Sequence, residues 1–206
     1  DLQEALKATT IIYDKDSAEA GTLSGQKGTY VELDAISDNL ENAVIATEDR
    51  SFYKNSGINY QRTILAVLTL GRSGGGSTIT QQLAKNAFLT QEQTISRKAR
   101  EFFLALEINK KYSKQEILTM YLNNAYFGNG VWGVEDASQK YFGISASDLT
   151  IEQSAVLAGM LKGPEIYNPY YSLENAINRR DTVLQNMVNA GYIDQATADV
   201  GFQVDL

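Results

Sequence analysis

The feature that most constrains the fold is the recurrence of apolar residues at helical spacing from Asp38 almost to the end of the chain. The clearest case is the segment 94–111. There Ile95, Ala99 and Phe102 fall on one face and charged residues fall on the opposite side. The 206 residues contain only two prolines, so helices have few obligatory breaks. The pattern predicts a mainly α fold.

The N-terminal part carries strand signals instead. Runs of β-branched and aromatic residues occupy 9–13 and 29–33, with glycines in the polar stretch between them. We therefore expect a small β-hairpin-like element over residues 8–36. The following helical region, 38–195, contains a glycine-rich run that predicts a mobile segment near 68–77.

Length and composition limit both the architecture and the chemistry. The length suits a single domain over residues 1–206. With no histidine and no cysteine, the chain has no Ser–His–Asp or Cys–His catalytic apparatus, no imidazole or thiolate metal ligand and no disulfide. Its 25 acidic residues make carboxylates the leading candidates for catalysis, and the net charge of −7 argues against nucleic-acid binding.

The first candidate cluster is Glu48-Asp49-Arg50, with Phe52 just beyond it. Three charges at the end of an apolar helical face are ordinarily a solvated helix terminus. The alternative is a carboxylate at the mouth of a cleft, with Arg50 as its electrostatic partner and a role as general base.

The second cluster follows the glycine run. Glycines before Ser77-Thr78 present backbone N–H groups and hydroxyls at a helix start, where an oxyanion or a phosphate can bind. A flexible linker with an N-cap is the alternative. The polar stripe continues for a helical turn, and such a density of side-chain amides is typical of sugar or diphosphate contact. Its members are Gln81, Gln82, Lys85 and Asn86.

The third cluster places Arg97, Lys98 and Arg100 beside Glu101. One interpretation is an exposed face of i,i+4 ion pairs that contributes some tenths of a kcal/mol. In so acidic a chain, the cluster is equally well interpreted as a phosphate clamp that holds an ionised carboxylate between cations.

The apolar run 64–70 next to the glycines also has two interpretations. It is either a buried core helix or a segment that dips into the interface of a lipid bilayer and lets a lipid tail enter a cleft.

Taken together, these segments resemble the peptidoglycan glycosyltransferase domain of class A penicillin-binding proteins and of their monofunctional relatives. The family often carries a histidine where this chain has Asn55, and asparagine cannot titrate, so position 55 is not expected to supply a base. The resemblance covers roughly residues 8–195. The matching stretches occur in the family's order and are 48–53, 75–86, 97–101, 121–123 and 179–184.

The resemblance implies a lysozyme-like, two-lobed helical domain that polymerises lipid II into β-1,4-linked glycan with inversion and with release of polyprenyl pyrophosphate. Carried onto this chain, Glu48 is the general base and Glu101 assists at the leaving pyrophosphate. Cationic side chains neutralise the diphosphate, and the other polar residues bind substrate. The implied substrate-binding residues are Asp49, Arg50, Phe52, Ser77, Thr78, Gln81, Gln82, Lys85, Asn86, Arg97 and Lys98.

The resemblance also implies the surroundings of the domain. The partners are lipid II, the nascent glycan chain and the cytoplasmic membrane, with a C-terminal transpeptidase domain in the full-length protein. The location is the extracytoplasmic side of the bacterial cell membrane, with an N-terminal anchor outside this sequence. No cofactor is required, although a divalent cation such as Mg²⁺ or Mn²⁺ at Glu101 stays open.

Two other functions are compatible with parts of the pattern. A glycan hydrolase of the lysozyme or lytic transglycosylase type also uses paired carboxylates, but it needs no cationic clamp around Glu101. A non-catalytic glycan-binding module needs neither Glu48 nor Glu101.

Overall fold

A computed structural model describes residues 10–13, 19–23, 27–69, 76–88 and 95–206. By internal contacts the chain divides into two compact units. The first unit contains the described parts of residues 1–27 and 51–124, and the second contains residues 28–50 and 125–206. The predicted mobile segment near 68–77 falls largely outside the described residues, because 70–75 are not among them.

The described residues form two strands and nine α-helices, so the predicted mainly α character is confirmed. The strands are β1 (Thr10–Tyr13) and β2 (Glu19–Leu23). The helices are α1 (Asp38–Glu48), α2 (Tyr60–Leu68), α3 (Ile79–Phe88), α4 (Ile95–Lys111), α5 (Lys114–Asn124), α6 (Val134–Phe142), α7 (Ile151–Met160), α8 (Leu173–Asn189) and α9 (Gln195–Gly201). Short 3₁₀ helices occupy Leu33–Ala35 and Ala146–Asp148.

The second unit is built around α7, which packs against both α1 and α8. A capping box starts α7: the Thr150 side chain accepts from the Gln153 backbone N–H, and the Gln153 side chain accepts from the Thr150 N–H. The polar residues of α7 lie near its start, and seven consecutive residues from Ser154 to Met160 are buried. A helix that is buried on all sides over nearly two turns lies inside a bundle, so α7 is the central helix of this unit.

The first unit contains the β1–β2 hairpin and the helices α2 to α5. The strands pair antiparallel, with Thr10 opposite Leu23. Helix α3 packs against α4 and α5 through an apolar face that includes Leu83 and Ala84. This packing brings the polar residues of α3 near those of α4, because both helices belong to one small core.

Strand β1 falls on the predicted run 9–13, but its partner β2 lies in the stretch expected to be the connection, and the prediction of a strand at 29–33 is wrong. The backbone N–H of Thr29 donates to Asp136 Oδ2 at 3.2 Å, so a side chain takes the place of a sheet partner. Gly28 lies so close to the Trp132 carbonyl oxygen that a Cβ atom would be 2.1 Å from it. These contacts within the second unit override the local β propensity.

The interpretation of the apolar run as a buried core helix is also wrong for its described part. Helix α2 contains no buried residue, and Ile64, Leu65, Val67 and Leu68 are all exposed. Asn59 caps the helix by accepting from the Arg62 backbone N–H. Helix α2 therefore presents an apolar surface to its surroundings.

Candidate active site

Glu48 is the last residue of α1 in the second unit. The helix begins because the Ser37 hydroxyl accepts from the Asn39 N–H, and it is held by a buried face that includes Leu40 and Val44. At Asp49 the backbone leaves the helix with φ −162°. Glu48 is half-buried, whereas Asp49 is 1% exposed. The two acids thus lie where the rigid helix ends, and the aspartate is the deeper one.

Arg50 is anchored within the second unit. Its Nε donates to the Ala46 carbonyl oxygen at 3.1 Å, and a terminal nitrogen donates to Asn186 Oδ1 at 3.2 Å. Asn186 in turn donates to the Thr47 hydroxyl at 3.4 Å. These bonds tie the end of α1, where Glu48 lies, to α8. A contact of Arg50 with substrate stays a prediction.

In the first unit, Lys114 contacts the loop 51–57. The Lys114 ammonium lies 4.9 Å from the centre of the buried Phe52 ring and donates to Asn55 Oδ1 at 3.2 Å. The same oxygen accepts from the Gly57 N–H at 3.0 Å, and the Asn55 amide donates to the Ser51 hydroxyl. Asn55 therefore stabilises the loop, in agreement with its exclusion as a base. Phe52 belongs to the core, and its substrate contact stays a prediction.

The start of α3 is fixed by reciprocal hydrogen bonds. The Thr78 N–H donates to Gln81 Oε1 at 2.8 Å, and the Gln81 N–H donates to the Thr78 hydroxyl at 3.1 Å. That hydroxyl also donates to the Gly57 carbonyl oxygen at 2.6 Å. Thr78 and Gln81 are both buried. The structure gives these two side chains an internal role, and their direct contact with substrate stays a prediction.

The remaining predicted residues of α3 are more accessible. Gln82 and Lys85 are half-buried and Asn86 is exposed. The Gln82 amide is held between two groups: its Oε1 accepts from the Tyr121 hydroxyl at 2.8 Å, and its Nε2 lies 3.5 Å from the Ser77 carbonyl oxygen. Within 79–87, where the side chains of α3 are described, these three residues are the ones that a ligand is able to reach.

Glu101 is the buried carboxylate of the first unit. Lys98, one turn earlier on α4, lies with its Nζ 2.7 Å from Glu101 Oε1 and 3.0 Å from the Ser77 hydroxyl. Arg97 is also buried on this helix. The structure thus brings together Ser77, Lys98 and Glu101, and it joins the start of α3 to α4. The Lys98–Glu101 pair agrees with both interpretations of the cluster, the helical ion-pair face and the phosphate clamp, so the clamp stays a prediction.

Two residues of α5 make contacts with this arrangement that no local sequence pattern shows, although 121–123 is one of the stretches that carry the family resemblance. Lys114 is an ordinary first-turn residue of α5, and Tyr121 is a buried tyrosine within that helix. Their roles arise from contacts with Asn55 and Gln82, which lie 59 and 39 residues away in the sequence. Only tertiary packing reveals them.

The described side chains at Glu101 offer a divalent cation one carboxylate. Hard cations take six or more oxygen ligands, many of them from carboxylates or water. Here one carboxylate has an ammonium group at 2.7 Å. Among the residues that the structure describes, no group of three or more acidic side chains is arranged to hold a metal ion.

The amino-acid sequence of the chain matches a known protein family. A family model described as Transglycosylase matches residues 16–188. The chain belongs to this family. The match includes Glu48 and Glu101 and extends over parts of both compact units. It confirms the predicted membership in the peptidoglycan glycosyltransferases.

The relatives of this transglycosylase domain are penicillin-binding proteins. Penicillin-binding protein 2a of Streptococcus pneumoniae R6 is 72% identical over 206 residues, which are 100% of this chain and 28% of that protein. Penicillin-binding protein 1A of Aquifex aeolicus is 44% identical over 186 residues, which are 88% of this chain and 26% of that protein. The chain therefore spans about a quarter of the length of these relatives.

A solved structure supports the predicted fold class. The crystal structure of penicillin-binding protein 1A from Haemophilus influenzae aligns with a TM-score of 0.54 and 25% sequence identity. The alignment covers 98% of this transglycosylase domain and 21% of that chain. The predicted mainly α, lysozyme-like class is confirmed.

Proposed function

We propose that this transglycosylase domain polymerises lipid II into β-1,4-linked glycan strands and releases polyprenyl pyrophosphate. The observation that carries the proposal is the contact of Lys98 with both Glu101 and the Ser77 hydroxyl. It gathers a cation, a hydroxyl and a carboxylate at the start of α3, where backbone N–H groups favour a phosphate. A diphosphate leaving group calls for this combination, whereas hydrolysis of a glycan does not.

In the proposed reaction, Glu48 takes the proton from the 4-hydroxyl of the acceptor sugar. That oxygen attacks the anomeric carbon of the donor from the face opposite its pyrophosphate. The new C–O bond forms as the bond to the phosphate oxygen breaks, and the pyrophosphate leaves with the electron pair. The stereochemistry inverts. A positioned general base is typically worth about 10²–10⁴-fold in rate, and a half-buried residue at a rigid helix end suits this task.

Charge stabilisation at the leaving group is assigned to the first unit. Lys98 and Lys85 neutralise the diphosphate, supported by the buried Arg97. Ser77, Gln82 and Asn86 donate to sugar or phosphate oxygens. Glu101 orients Lys98 through their 2.7 Å contact, so its effect on the pyrophosphate is exerted through that ammonium.

The apolar face of α2 is proposed to lie in the bilayer interface. Leu68 is 76% exposed and Val67 is 69% exposed. Contiguous apolar surface of this kind is costly in water and marks a membrane or protein contact. In the part of the chain that the structure describes, no helix is sufficiently long and apolar to span a bilayer. We propose that the domain works on the extracytoplasmic side of the membrane, anchored by a segment outside this sequence and joined to a transpeptidase domain.

The test is incubation of the purified domain with labelled lipid II in detergent, beside Glu48→Gln and Glu101→Gln. Wild type should make polymer that lysozyme digests, and both folded variants should lose most of it. If Glu48→Gln made polymer at the wild-type rate, a residue other than Glu48 would be the general base. Degradation of ready-made glycan without polymer formation would establish the hydrolase instead. Unchanged glycan binding with neither activity would establish the binding module.

A further inference from the structure

Tyr121 and Gln82 form a hydrogen bond that connects two helices of the first unit. Tyr121 lies on α5, and only 2% of its surface is exposed. Its hydroxyl donates to Gln82 Oε1 of α3 at 2.8 Å. Helices α3 and α5 pack against each other, so this bond lies at the border between their shared core and the polar face of α3.

The two ends of the Gln82 amide are chemically different. The oxygen only accepts hydrogen bonds, and the nitrogen only donates them. The Ser77 carbonyl oxygen lies 3.5 Å from Nε2, and a carbonyl only accepts, so the nitrogen must lie on that side. The Tyr121 hydroxyl then donates to the opposite end. The hydroxyl is able to donate or accept, so the Ser77 carbonyl selects the orientation of the amide and the Tyr121 hydroxyl stabilises it by donating to the oxygen end.

This orientation matters because the proposed ligand is rich in acceptors. Phosphate oxygens accept hydrogen bonds and do not donate them when ionised. Nε2 lies toward Ser77, the residue whose hydroxyl also contacts Lys98. An amide rotated by 180° would instead place its oxygen beside the Ser77 carbonyl, and the two acceptors would repel each other.

We propose that Tyr121 is a positioning residue that holds the Gln82 amide as a hydrogen-bond donor toward the diphosphate or sugar of the substrate. The proposal rests on the proposed function, in which Gln82 contacts lipid II. Tyr121 itself does not touch the substrate. Its hydroxyl acts on the substrate through Gln82.

The first experiment is a double-mutant cycle measured as kcat/KM for lipid II polymerisation. Tyr121→Phe and Gln82→Ala should each lower kcat/KM by about tenfold, which corresponds to about 1.4 kcal/mol. The double variant should be no slower than Gln82→Ala alone, because the hydroxyl then has nothing to position. Losses that multiply to about a hundredfold would overturn the proposal, as would a Gln82→Ala variant with wild-type activity.

Tyr141→Phe is the matched control for the loss of a tyrosine hydroxyl. The Tyr141 hydroxyl donates to the Phe127 carbonyl oxygen at 2.6 Å and accepts from Asn168, all within the second unit. We expect this variant to lose stability while retaining its kcat/KM at a temperature where it is folded. An equal loss of activity in both tyrosine variants would mean that the Tyr121 effect is only structural.

A second readout does not depend on activity. In a domain labelled with ¹⁵N-glutamine, the side-chain amide resonances of Gln82 are assigned by their absence from Gln82→Ala. In Tyr121→Phe they should move toward free-amide shifts and exchange faster with solvent. Unchanged resonances would overturn the positioning role even if wild type makes polymer. If the resonances move but the wild-type domain makes no polymer, Tyr121 still positions the Gln82 amide and the proposed function is rejected.

Discussion

Lys98 and Glu101 form an ion pair with very unequal exposure. Their charged atoms are 2.7 Å apart, the lysine side chain is 61% exposed and the glutamate side chain is 5% exposed. A pair between two exposed residues contributes little, because water screens it. Here a buried carboxylate depends on a cation that solvent and ligands can reach. A phosphate bound at Lys98 would therefore compete with the Glu101 carboxylate for the same ammonium group.

Lys98→Met should reduce polymerisation by about 10²-fold, in the range of a lost electrostatic donor at a transition state. It should also lower the free energy of unfolding by about 1–3 kcal/mol, because the buried Glu101 carboxylate is left without its cation. Lys98→Arg should recover part of the activity. Polymer assays and urea unfolding measure the two effects.

The matched control is Lys110→Met. Lys110 also pairs with a glutamate three residues away on α4, at 3.5 Å from Glu107, but both side chains are exposed. We expect unchanged activity. Equal losses at Lys98 and Lys110 would show that general charge on α4, and not the Glu101 contact, is responsible.

Leu68→Glu should weaken binding of the domain to liposomes by about tenfold, because a charge replaces an apolar side chain at the proposed interface. Co-sedimentation with lipid vesicles measures this. Val200→Glu is the control, since Val200 is 66% exposed on α9 in the second unit. If both variants bound as wild type does, the membrane role of α2 would be rejected.

Gly57→Ala should destabilise the domain by about 2–5 kcal/mol. Gly57 has φ +91°, and a Cβ atom there would lie 2.7 Å from the Ala105 carbonyl oxygen. Because the Gly57 carbonyl accepts from Thr78, the displacement should also reach the start of α3 and lower activity. Urea unfolding and polymer assays measure the change.

Gly130→Ala separates the cost of the positive φ from the cost of close packing. Gly130 also has a positive φ, +72°, but nothing lies within 4 Å of the added Cβ atom. Only the backbone cost of about 1–2 kcal/mol should remain. A Gly130 variant as damaged as the Gly57 variant would remove close packing as the explanation.

Glu41 should make stability depend on pH. Burial, and then the nearby Asp38 charge, raise the pKa of Glu41 from 4.5 to about 7. The folded state thus retains a proton that the unfolded chain releases, and stability present below pH 4.5 should be lost as the pH rises toward and through 7. Glu41→Gln should remove this slope and be about 1–2 kcal/mol more stable than wild type at pH 8, a value reduced because Glu41 is only half-buried.

Urea unfolding at pH 4.5 and pH 8 measures the Glu41 effect, with Glu107→Gln as the control because Glu107 is exposed. Parallel pH profiles for wild type and Glu41→Gln would contradict the raised pKa.

The amino-acid sequence by itself determined the helical class, most helix positions and the ordered clusters that identify the family. These features depend on local periodicity, on capping residues such as Thr150 and Gln153, and on residue chemistry that is visible in short segments. The two carboxylates and the cations near Glu101 were visible for the same reason. Helix α9 was missed because its seven residues carry too little periodic signal.

Tertiary structure alone decided which polar groups are committed to the fold and which are accessible. Thr78 and Gln81 look like ligands in the sequence, yet both are buried and bonded to each other. Residues 29–33 have strand propensity, yet the Thr29 backbone N–H donates to the Asp136 side chain and not to a neighbouring strand. Thr78 also donates to Gly57, 21 residues away, and Thr29 and Asp136 are 107 residues apart. Burial makes an unsatisfied hydrogen bond costly, so such distant partners are required. Local pattern therefore predicts the helices and the chemistry, while distant packing assigns each side chain its partner.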